Sequence, residues 1–312
     1  YRCNVVTLTE DQDNYEDRII LDHSADEIST EEADLLIKAL EEKLGNDIRK
    51  FHTGISYRHC LIWKNGDDKY PFMRPHDILS KRIGEYLPKA ENGGAQFYEL
   101  MRKSYEILNH HPINEARRAR GLKPANSAWF WSPGKKPQLP SFEEKWGLKG
   151  AVISAVDLIR GIGLCAGLEV LPVDGVITGT FETDFDAKAR AAIQALKDGH
   201  QFVYIHMEGP DECGHHGQIH EKVKCIEDID QKVIGPVMDY LQNCGEEYAV
   251  LVMPDHPTPL CLLTHVADPV PFALFSSKHP MDNETVVFNE HNARASGLFV
   301  PRACDLMEKL LK

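Results

Sequence analysis

The stretch QFVYIHMEGPDECGHHG (201–217) joins an apolar run to a loop that is rich in acidic and imidazole side chains. The run at 201–207 predicts a buried strand. Asp211 and His215 follow it four positions apart, so they would face the same way on a helical turn and could hold one ion equally well from a loop. Because open α/β sheets bind ligands at the edge where their strands end, this stretch predicts such a sheet with a ligand site at its edge.

Two more loops place acidic or imidazole side chains next to an apolar run. The i, i+4 spacing of Asp211 and His215 is common by itself, and these two loops strengthen the prediction of a ligand site. The adjacent Asp255–His256 pair follows the apolar run YAVLVM (248–253), and His265 precedes the apolar run PVPFALF (269–275). Three loops at one sheet edge would bring together two carboxylates and three imidazoles. Mixed aspartate and histidine ligands suit Zn²⁺, Mn²⁺ or a similar divalent ion, so the sequence predicts a metal centre.

The second half of the chain alternates between helical and apolar segments from about residue 145. The predicted helices are 151–167, 184–198, 217–242 with a kink at Pro236, and 302–311, and the predicted strands are 169–173, 201–207, 248–253 and 270–275. This alternation predicts an α/β fold with a mostly parallel sheet and helices on both faces.

The first half mixes strands and helices without that rhythm and predicts a separate α+β domain. The predicted strands are 3–9, 18–21 and 55–63, and the predicted helices are 30–44, 95–108 and 114–120. Ser29 with Glu32 predicts a capping box for the first helix, and Gly45 predicts its end. The proline-rich stretch 123–140 predicts a crossing between the domains, and its Trp129–Trp131 pair favours packing over ligand stacking.

Composition excludes several classes of protein. The 312-residue chain has a net charge of −13, which argues against a nucleic-acid binder, and it has no run of 18 apolar residues, which argues against a membrane span. Eight scattered cysteines without a CxxC pair predict free thiols in a reducing cytoplasm. The chain opens at Tyr1 in what reads as a strand already under way, so we expect the true N-terminus to lie upstream.

A metal centre of this kind suits phosphoryl transfer, which also needs a nucleophile held close to the metal. Four serines are available for that role: Ser24, Ser56, Ser154 and Ser276. Each is read more simply as part of a turn, a strand face or a helix. The catalytic nucleophile is therefore not assigned from the sequence.

Three motifs carry a resemblance to a known family. DECGHHG (211–217), PDHPTP (254–259) and THVADPVPF (264–272) resemble the metal motifs of the alkaline phosphatase superfamily. The wider chain resembles the archaeal-type 2,3-bisphosphoglycerate-independent phosphoglycerate mutases, as in FHTGISYRH (51–59) and WGLKGAVISAVDLIRGIGLCAGLEV (146–170). The resemblance runs along essentially the whole chain.

This resemblance implies an alkaline-phosphatase-like domain into which a substrate-handling α+β domain is inserted. Residues 1–138 would be the insert, and residues 139–312 would be the C-terminal part of the metal-binding domain. By motif match, one divalent ion would be held by Asp211, His215 and His265, and a second by Asp255 and His256. Manganese is the expected metal, with zinc, magnesium or cobalt as alternatives, and 2,3-bisphosphoglycerate is not needed.

The implied reaction interconverts 3-phosphoglycerate and 2-phosphoglycerate, a step of glycolysis, through a phosphoserine. In the family that serine, together with one aspartate, comes from an N-terminal segment that this chain lacks, so we expect the chain alone to be inactive. Cations must grip the small anionic substrate, and an arginine offers a two-pronged fork for carboxylate or phosphate. The candidates are Arg58, Lys149, Arg117 and Arg2.

Two other functions remain open. A phosphatase or phosphodiesterase of the same superfamily would release free phosphate and make no 2-phosphoglycerate. Alternatively, the chain could be an inert metal-binding fragment. The large insert with several arginines favours the mutase, because a hydrolase has no need to hold and turn its product.

Overall fold

The computed structural model describes residues 1–280 and 287–311 and divides into two compact units, Tyr1–Lys136 and Pro137–Lys312. The predicted boundary between residues 138 and 139 lies close to this division. That the first unit is an insert stays a prediction. Within the described residues, no helix combines the length and the apolar character needed to cross a bilayer.

The first unit is built on an antiparallel sheet. Its strands are β1 (Arg2–Leu8), β2 (Ile20–Asp22), β3 (Arg49–Ile55), β4 (Arg58–Trp63) and β5 (Ser127–Trp131), and its helices are α1 (Thr30–Leu44), α2 (Ala95–Leu108) and α3 (Pro112–Ala119). Strand β1 pairs with β2, β4 and β5, and β3 pairs with β4. Six of the seven residues of β1 are buried, so this strand is the centre of the core.

The helices of this unit follow the predicted caps in part. Helix α1 has the predicted bounds, and the Ser29 side chain accepts a hydrogen bond from the backbone N–H of Glu32, which is one half of the predicted capping box. The Glu32 carboxylate pairs with Arg117 and Arg120. Gly45 follows α1 as predicted because a Cβ there would lie 2.4 Å from the carbonyl oxygen of Glu41. Helix α3 begins earlier than predicted, at Pro112, because proline suits the first turn, where its missing N–H leaves no bond unmade.

One prediction for this unit was wrong, and another was incomplete. The stretch 55–63 is not one strand, because Ser56 adopts a left-handed backbone with φ 55° and turns β3 into β4. The stretch 123–140 is not only a crossing, because it contains the fully buried strand β5, which pairs with the central strand β1. The packing role predicted for its tryptophans is confirmed, since Trp129 is 1% exposed and Trp131 is also buried.

His59 should make the stability of the first unit depend on pH. Its Nδ1 accepts the Gly54 N–H at 3.1 Å, and its Nε2 is buried with no hydrogen-bond partner in the part of the chain that the structure describes. Burial lowers the pKa of His59 from 6.5 to about 4, against the opposing charge of Asp34. The unfolded chain therefore binds a proton between pH 6.5 and 4 that the folded chain refuses, and stability falls by about 3 kcal/mol as pH drops through that window.

A His59→Asn variant provides the control, because asparagine can accept the same N–H and does not titrate. Urea unfolding at several pH values should show a shallower loss of unfolding free energy for the variant between pH 6.5 and 4. Equal pH slopes for the two proteins would refute the assignment to His59.

The second unit contains a parallel sheet and a separate antiparallel strand pair. Its strands are β6 (Gly150–Ile153), β7 (Glu169–Val170), β8 (Phe202–Ile205), β9 (Ala249–Val252) and β10 (Ala273–Ser276), and its helices are α4 (Phe142–Trp146), α5 (Asp157–Cys165), α6 (Phe185–Lys197), α7 (Gly209–His215), α8 (Ile219–Asp228), α9 (Gly235–Asn243), α10 (Glu290–Ala295) and α11 (Leu306–Leu311). Strand β6 pairs in parallel with β7 and β8, and β9 pairs with β10 antiparallel. Helix α6 packs against β6 and β8.

The prediction of one helix over 151–167 was wrong. The run begins with the buried strand β6, and α5 starts only at Asp157. A short apolar run that is buried on both faces has no period that separates strand from helix, so the sequence pattern could not resolve it.

Prolines explain three of the other differences in this unit. The predicted helix 217–242 becomes α8 and α9 joined by a π-helical segment, Ile229–Ile234, just before Pro236. A proline ring clashes with the carbonyl four residues earlier, and a wider turn relieves that clash. Strand β10 starts at Ala273, beyond Pro271, and β7 ends before Pro172, because proline cannot donate to a ladder. Helix α11 begins at Leu306, after a 3₁₀ turn.

Candidate metal centre

The candidate metal centre begins on helix α7, which follows the carboxyl end of strand β8. Asp211 and His215 lie one turn apart on this helix, with 3.4 Å between Asp211 Oδ2 and His215 Nε2. A proline at the helix start, Pro210, suits its first turn. The i, i+4 spacing thus places a carboxylate and an imidazole on one face, as the sequence predicts.

The loops that follow β9 and precede β10 bring the other three side chains to the same place. His265 Nε2 lies 3.3 Å from Asp211 Oδ1 and 3.0 Å from His215 Nε2, and the ligand atoms of these three residues lie within 4.8 Å of one another. The His256 ring centroid is 3.8 Å from that of His265, and His256 Nε2 is 3.3 Å from Asp255 Oδ2. All five predicted side chains therefore converge.

The donor set fits a divalent cation. His215 Nδ1 lies 3.0 Å from the carbonyl oxygen of Leu263, which places its proton on Nδ1 and leaves the Nε2 lone pair facing His265. A metal-binding histidine is oriented by such a bond on its other nitrogen. Leu263 adopts a left-handed backbone, φ 56°, to present this carbonyl, and strain of this kind collects at functional sites. Asp211 adds the negative charge that a cation requires.

Thr258 is a member of the site that the sequence reading missed. Its buried hydroxyl donates to Asp211 Oδ1, and its carbonyl oxygen accepts a hydrogen bond from Lys222 Nζ at 2.8 Å. Gly214 permits this approach, because a Cβ there would lie 2.7 Å from that carbonyl oxygen. The signal was present in the motif PDHPTP, where the threonine stands two residues after His256.

Two of the four predicted substrate cations lie on one face of the first unit's sheet. Arg58 of β4 pairs with Asn4 of β1, and Asn4 stands two residues after Arg2. Because alternate residues of a strand share a face, the guanidinium groups of Arg2 and Arg58 project from the same side. Both are exposed; the guanidinium of Arg2 lies 4.7 Å from the ring of Trp131, and that of Arg58 lies 5.0 Å from the ring of Tyr57. We call these four residues the arginine face.

Two histidines that no sequence motif singles out border the arginine face. The ring centroid of His23 is 5.5 Å from that of Tyr57, and the ring centroid of His76 is 5.4 Å from that of Trp131. The two imidazoles are themselves 6.0 Å apart. They add polar groups next to the exposed arginines, and no local motif marks them because they come from distant parts of the chain.

Arg117 is engaged within the protein and is not available as a substrate ligand. Its side chain is 2% exposed and forms an ion pair with Glu32. The same guanidinium donates to the carbonyl oxygens of Ala25 at 2.6 Å and of Lys123 at 2.9 Å. The prediction that Arg117 contacts the substrate is therefore corrected. Its guanidinium forms an internal brace between α3 and α1.

Lys149 lies at the wrong end of its strand to serve the metal centre. It directly precedes β6, at the amino edge of the parallel sheet, whereas the metal loops follow carboxyl ends. Strand β6 spans about 13 Å. The Lys149 ammonium lies 4.0 Å from Glu169, so the structure gives it a local ion pair.

Comparisons with known proteins identify the family of this chain. A model of the metalloenzyme superfamily matches residues 21–307. The chain is 45% identical to a probable 2,3-bisphosphoglycerate-independent phosphoglycerate mutase of Geobacter sulfurreducens and 40% identical to such a mutase of Methanosarcina mazei, in each case over 100% of this chain and 76% of the relative. A cofactor-independent phosphoglycerate mutase structure from Thermoplasma acidophilum shares the fold, with a TM-score of 0.65 and 21% identity over 100% of this chain and 76% of that one. The chain therefore belongs to the 2,3-bisphosphoglycerate-independent phosphoglycerate mutases of the metalloenzyme superfamily.

Proposed function

We propose that the protein interconverts 3-phosphoglycerate and 2-phosphoglycerate through a phosphoserine, without 2,3-bisphosphoglycerate. The observation that carries this proposal is the convergence of Asp211, His215 and His265 with the Asp255–His256 pair, in a chain whose relatives bear the mutase name. The phosphoserine is not assigned to a residue of this chain. A cytoplasmic role in glycolysis fits this reaction and the free state of all eight cysteines.

Two divalent ions are proposed at the metal centre. Asp211, His215 and His265 would hold one ion, and Asp255 and His256 would contribute to the other. We propose manganese, and zinc, magnesium and cobalt are the alternatives to test. When bound, such ions polarise a phosphoryl oxygen and favour the ionised form of a nearby hydroxyl. The protein's own part is to orient the His215 ring through the Leu263 carbonyl oxygen and to hold Asp211 through the Thr258 hydroxyl.

The arginine face is the proposed substrate grip. A phosphoglycerate carries a phosphate and a carboxylate, and two exposed guanidinium groups on one face can each take a negative group through paired hydrogen bonds. The aromatic rings of Tyr57 and Trp131 hold these side chains in place through cation–π contacts. In a protein with a net charge of −13, such local positive charge is what an anionic metabolite requires, and it does not suit a nucleic-acid backbone.

The decisive experiment follows phosphorus by NMR. The complete natural protein, supplied with Mn²⁺ and 3-phosphoglycerate, should form 2-phosphoglycerate with no added 2,3-bisphosphoglycerate and without releasing inorganic phosphate. An Asp255→Ala variant should lose this turnover, and Asp268→Ala, at an exposed carboxylate of the His265 loop, should retain it. Phosphate without 2-phosphoglycerate would replace the mutase with a phosphatase or phosphodiesterase, and no reaction at all would favour an inert metal-binding protein.

A further inference from the structure

We propose that the buried ion pair Lys188–Glu208 is a positioning device that fixes the start of helix α7, and with it Asp211 and His215. Neither Lys188 nor Glu208 has a role in the proposed interconversion of 3-phosphoglycerate and 2-phosphoglycerate. The inference rests on the proposed metal site, because its consequence is the geometry of two proposed ligands.

The pair lies deep in the second unit. The Lys188 side chain is 0% exposed and that of Glu208 is 7% exposed, with 3.1 Å between Lys188 Nζ and Glu208 Oε2. Lys188 comes from α6, where its neighbours Ala187 and Ala189 are also buried. Its ammonium also donates to the carbonyl oxygen of His206, directly after β8, at 3.3 Å. The lysine thus connects α6 to the chain segment that leads into α7.

Glu208 connects three elements through separate atoms. Its Oε1 accepts hydrogen bonds from the Ser154 hydroxyl at 2.8 Å and from the Ala155 N–H at 3.2 Å, just after β6. Its backbone carbonyl accepts the N–H groups of Asp211 at 2.9 Å and Glu212 at 3.2 Å, in the first turn of α7. One residue therefore fixes the first turn of the ligand-bearing helix to the end of the central parallel strand.

Stability alone does not account for this pair. Removing two charges from water is costly, and replacing a buried ion pair with well-packed hydrophobic side chains of similar volume is often neutral or stabilising. A charged pair provides direction as well, because the ammonium and the carboxylate must meet their partners at fixed angles. Residues that orient metal ligands in this way typically change metal affinity by about 10–100-fold when they are replaced.

The test uses a variant that removes both charges and keeps the volume. In Lys188→Met/Glu208→Gln, the glutamine can still accept from Ser154, and the methionine cannot donate to His206 or to residue 208. For the complete protein, calorimetric titration with Mn²⁺ should give an affinity about 10–100-fold weaker than native. The urea midpoint should be unchanged or higher, and hydrogen exchange at the Asp211 and Glu212 amides of the metal-free protein should be faster.

A purely structural role predicts a different pattern. Affinity would then follow the urea midpoint, and native affinity or native amide exchange in the folded variant would overturn the proposal. The matched control is Lys224→Ala, which removes the exposed partner of the 2.7 Å ion pair with Asp228 on the adjacent helix α8 and leaves Lys232 paired with that carboxylate. This variant should leave Mn²⁺ affinity unchanged.

Two further measurements keep the test decisive. If the double variant does not fold, Lys188→Met removes the ammonium alone, and Glu208 keeps its contacts with Ser154 and Ala155. Weaker Mn²⁺ binding and faster exchange at Asp211 then support the proposal, and native values overturn it. If the native protein binds no Mn²⁺, the proposed metal site fails by itself. The exchange rates of the metal-free proteins then still decide whether the pair positions α7.

Discussion

An Asp211→Asn variant will lose metal binding at the candidate centre, with an affinity for Mn²⁺ more than about 100-fold below native. Loss of an outer partner of a metal ligand alone reduces affinity by about 10–100-fold, and Asp211 is proposed as a direct ligand. Its carboxylate faces His215 at 3.4 Å, His265 at 3.3 Å and His256 at 3.9 Å. Asparagine keeps the volume and can still accept the hydrogen bond from Thr258, so the change removes charge and little else.

The matched control is Glu212→Gln, on the next position of the same helix. Glu212 is exposed to a similar degree, and its carboxylate lies 4.0 Å from His216, outside the five converging side chains. Calorimetric titration of the metal-free protein with Mn²⁺ should give native affinity for Glu212→Gln. For Asp211→Asn it should give an affinity more than about 100-fold weaker at the site formed with His215 and His265. Similar loss in both variants would mean that general negative charge, and not the Asp211 position, attracts the ion.

The metal centre could be predicted from the sequence because the neighbours of each ligand in the chain mark its position. Each predicted ligand stands next to an apolar run in the chain, and strand ends meet at one edge of a sheet, so convergence follows from topology. The outer contacts carry no such local signal. Thr258 meets Asp211, and Ser154 meets Glu208, only after the loops and strands have come together. These contacts depend on tertiary structure that a residue pattern does not contain.

The predicted substrate cations also show what the sequence alone does not determine. Arg58 and Arg117 look alike in the sequence, since each stands among polar residues and carries a fixed charge. Their surroundings separate them: Arg58 is exposed at the start of β4, and Arg117 is enclosed by α1, α3 and a loop. A sequence specifies the charge of a side chain, and only the fold specifies its partner.

Arg117→Ala should therefore destabilise the first unit by about 1–3 kcal/mol, because it removes one partner of a part-buried ion pair and leaves a buried acceptor without its donor. Glu32 would keep only its more exposed contact with Arg120, and the buried carbonyl oxygen of Ala25 would lose a 2.6 Å hydrogen bond. Arg58→Ala is the matched control, because an exposed arginine away from such networks changes stability by less than about 0.5 kcal/mol.

Urea unfolding followed by tryptophan fluorescence can separate the two variants, since Trp129 and Trp131 are buried in the core of this unit. Arg117→Ala should unfold at lower urea, with any loss of substrate binding explained by loss of folded protein. Arg58→Ala should unfold at the native midpoint and bind phosphoglycerate more weakly. An Arg117→Ala protein of native stability that binds substrate poorly would return Arg117 to the substrate site, and the internal brace between α3 and α1 would then be wrong.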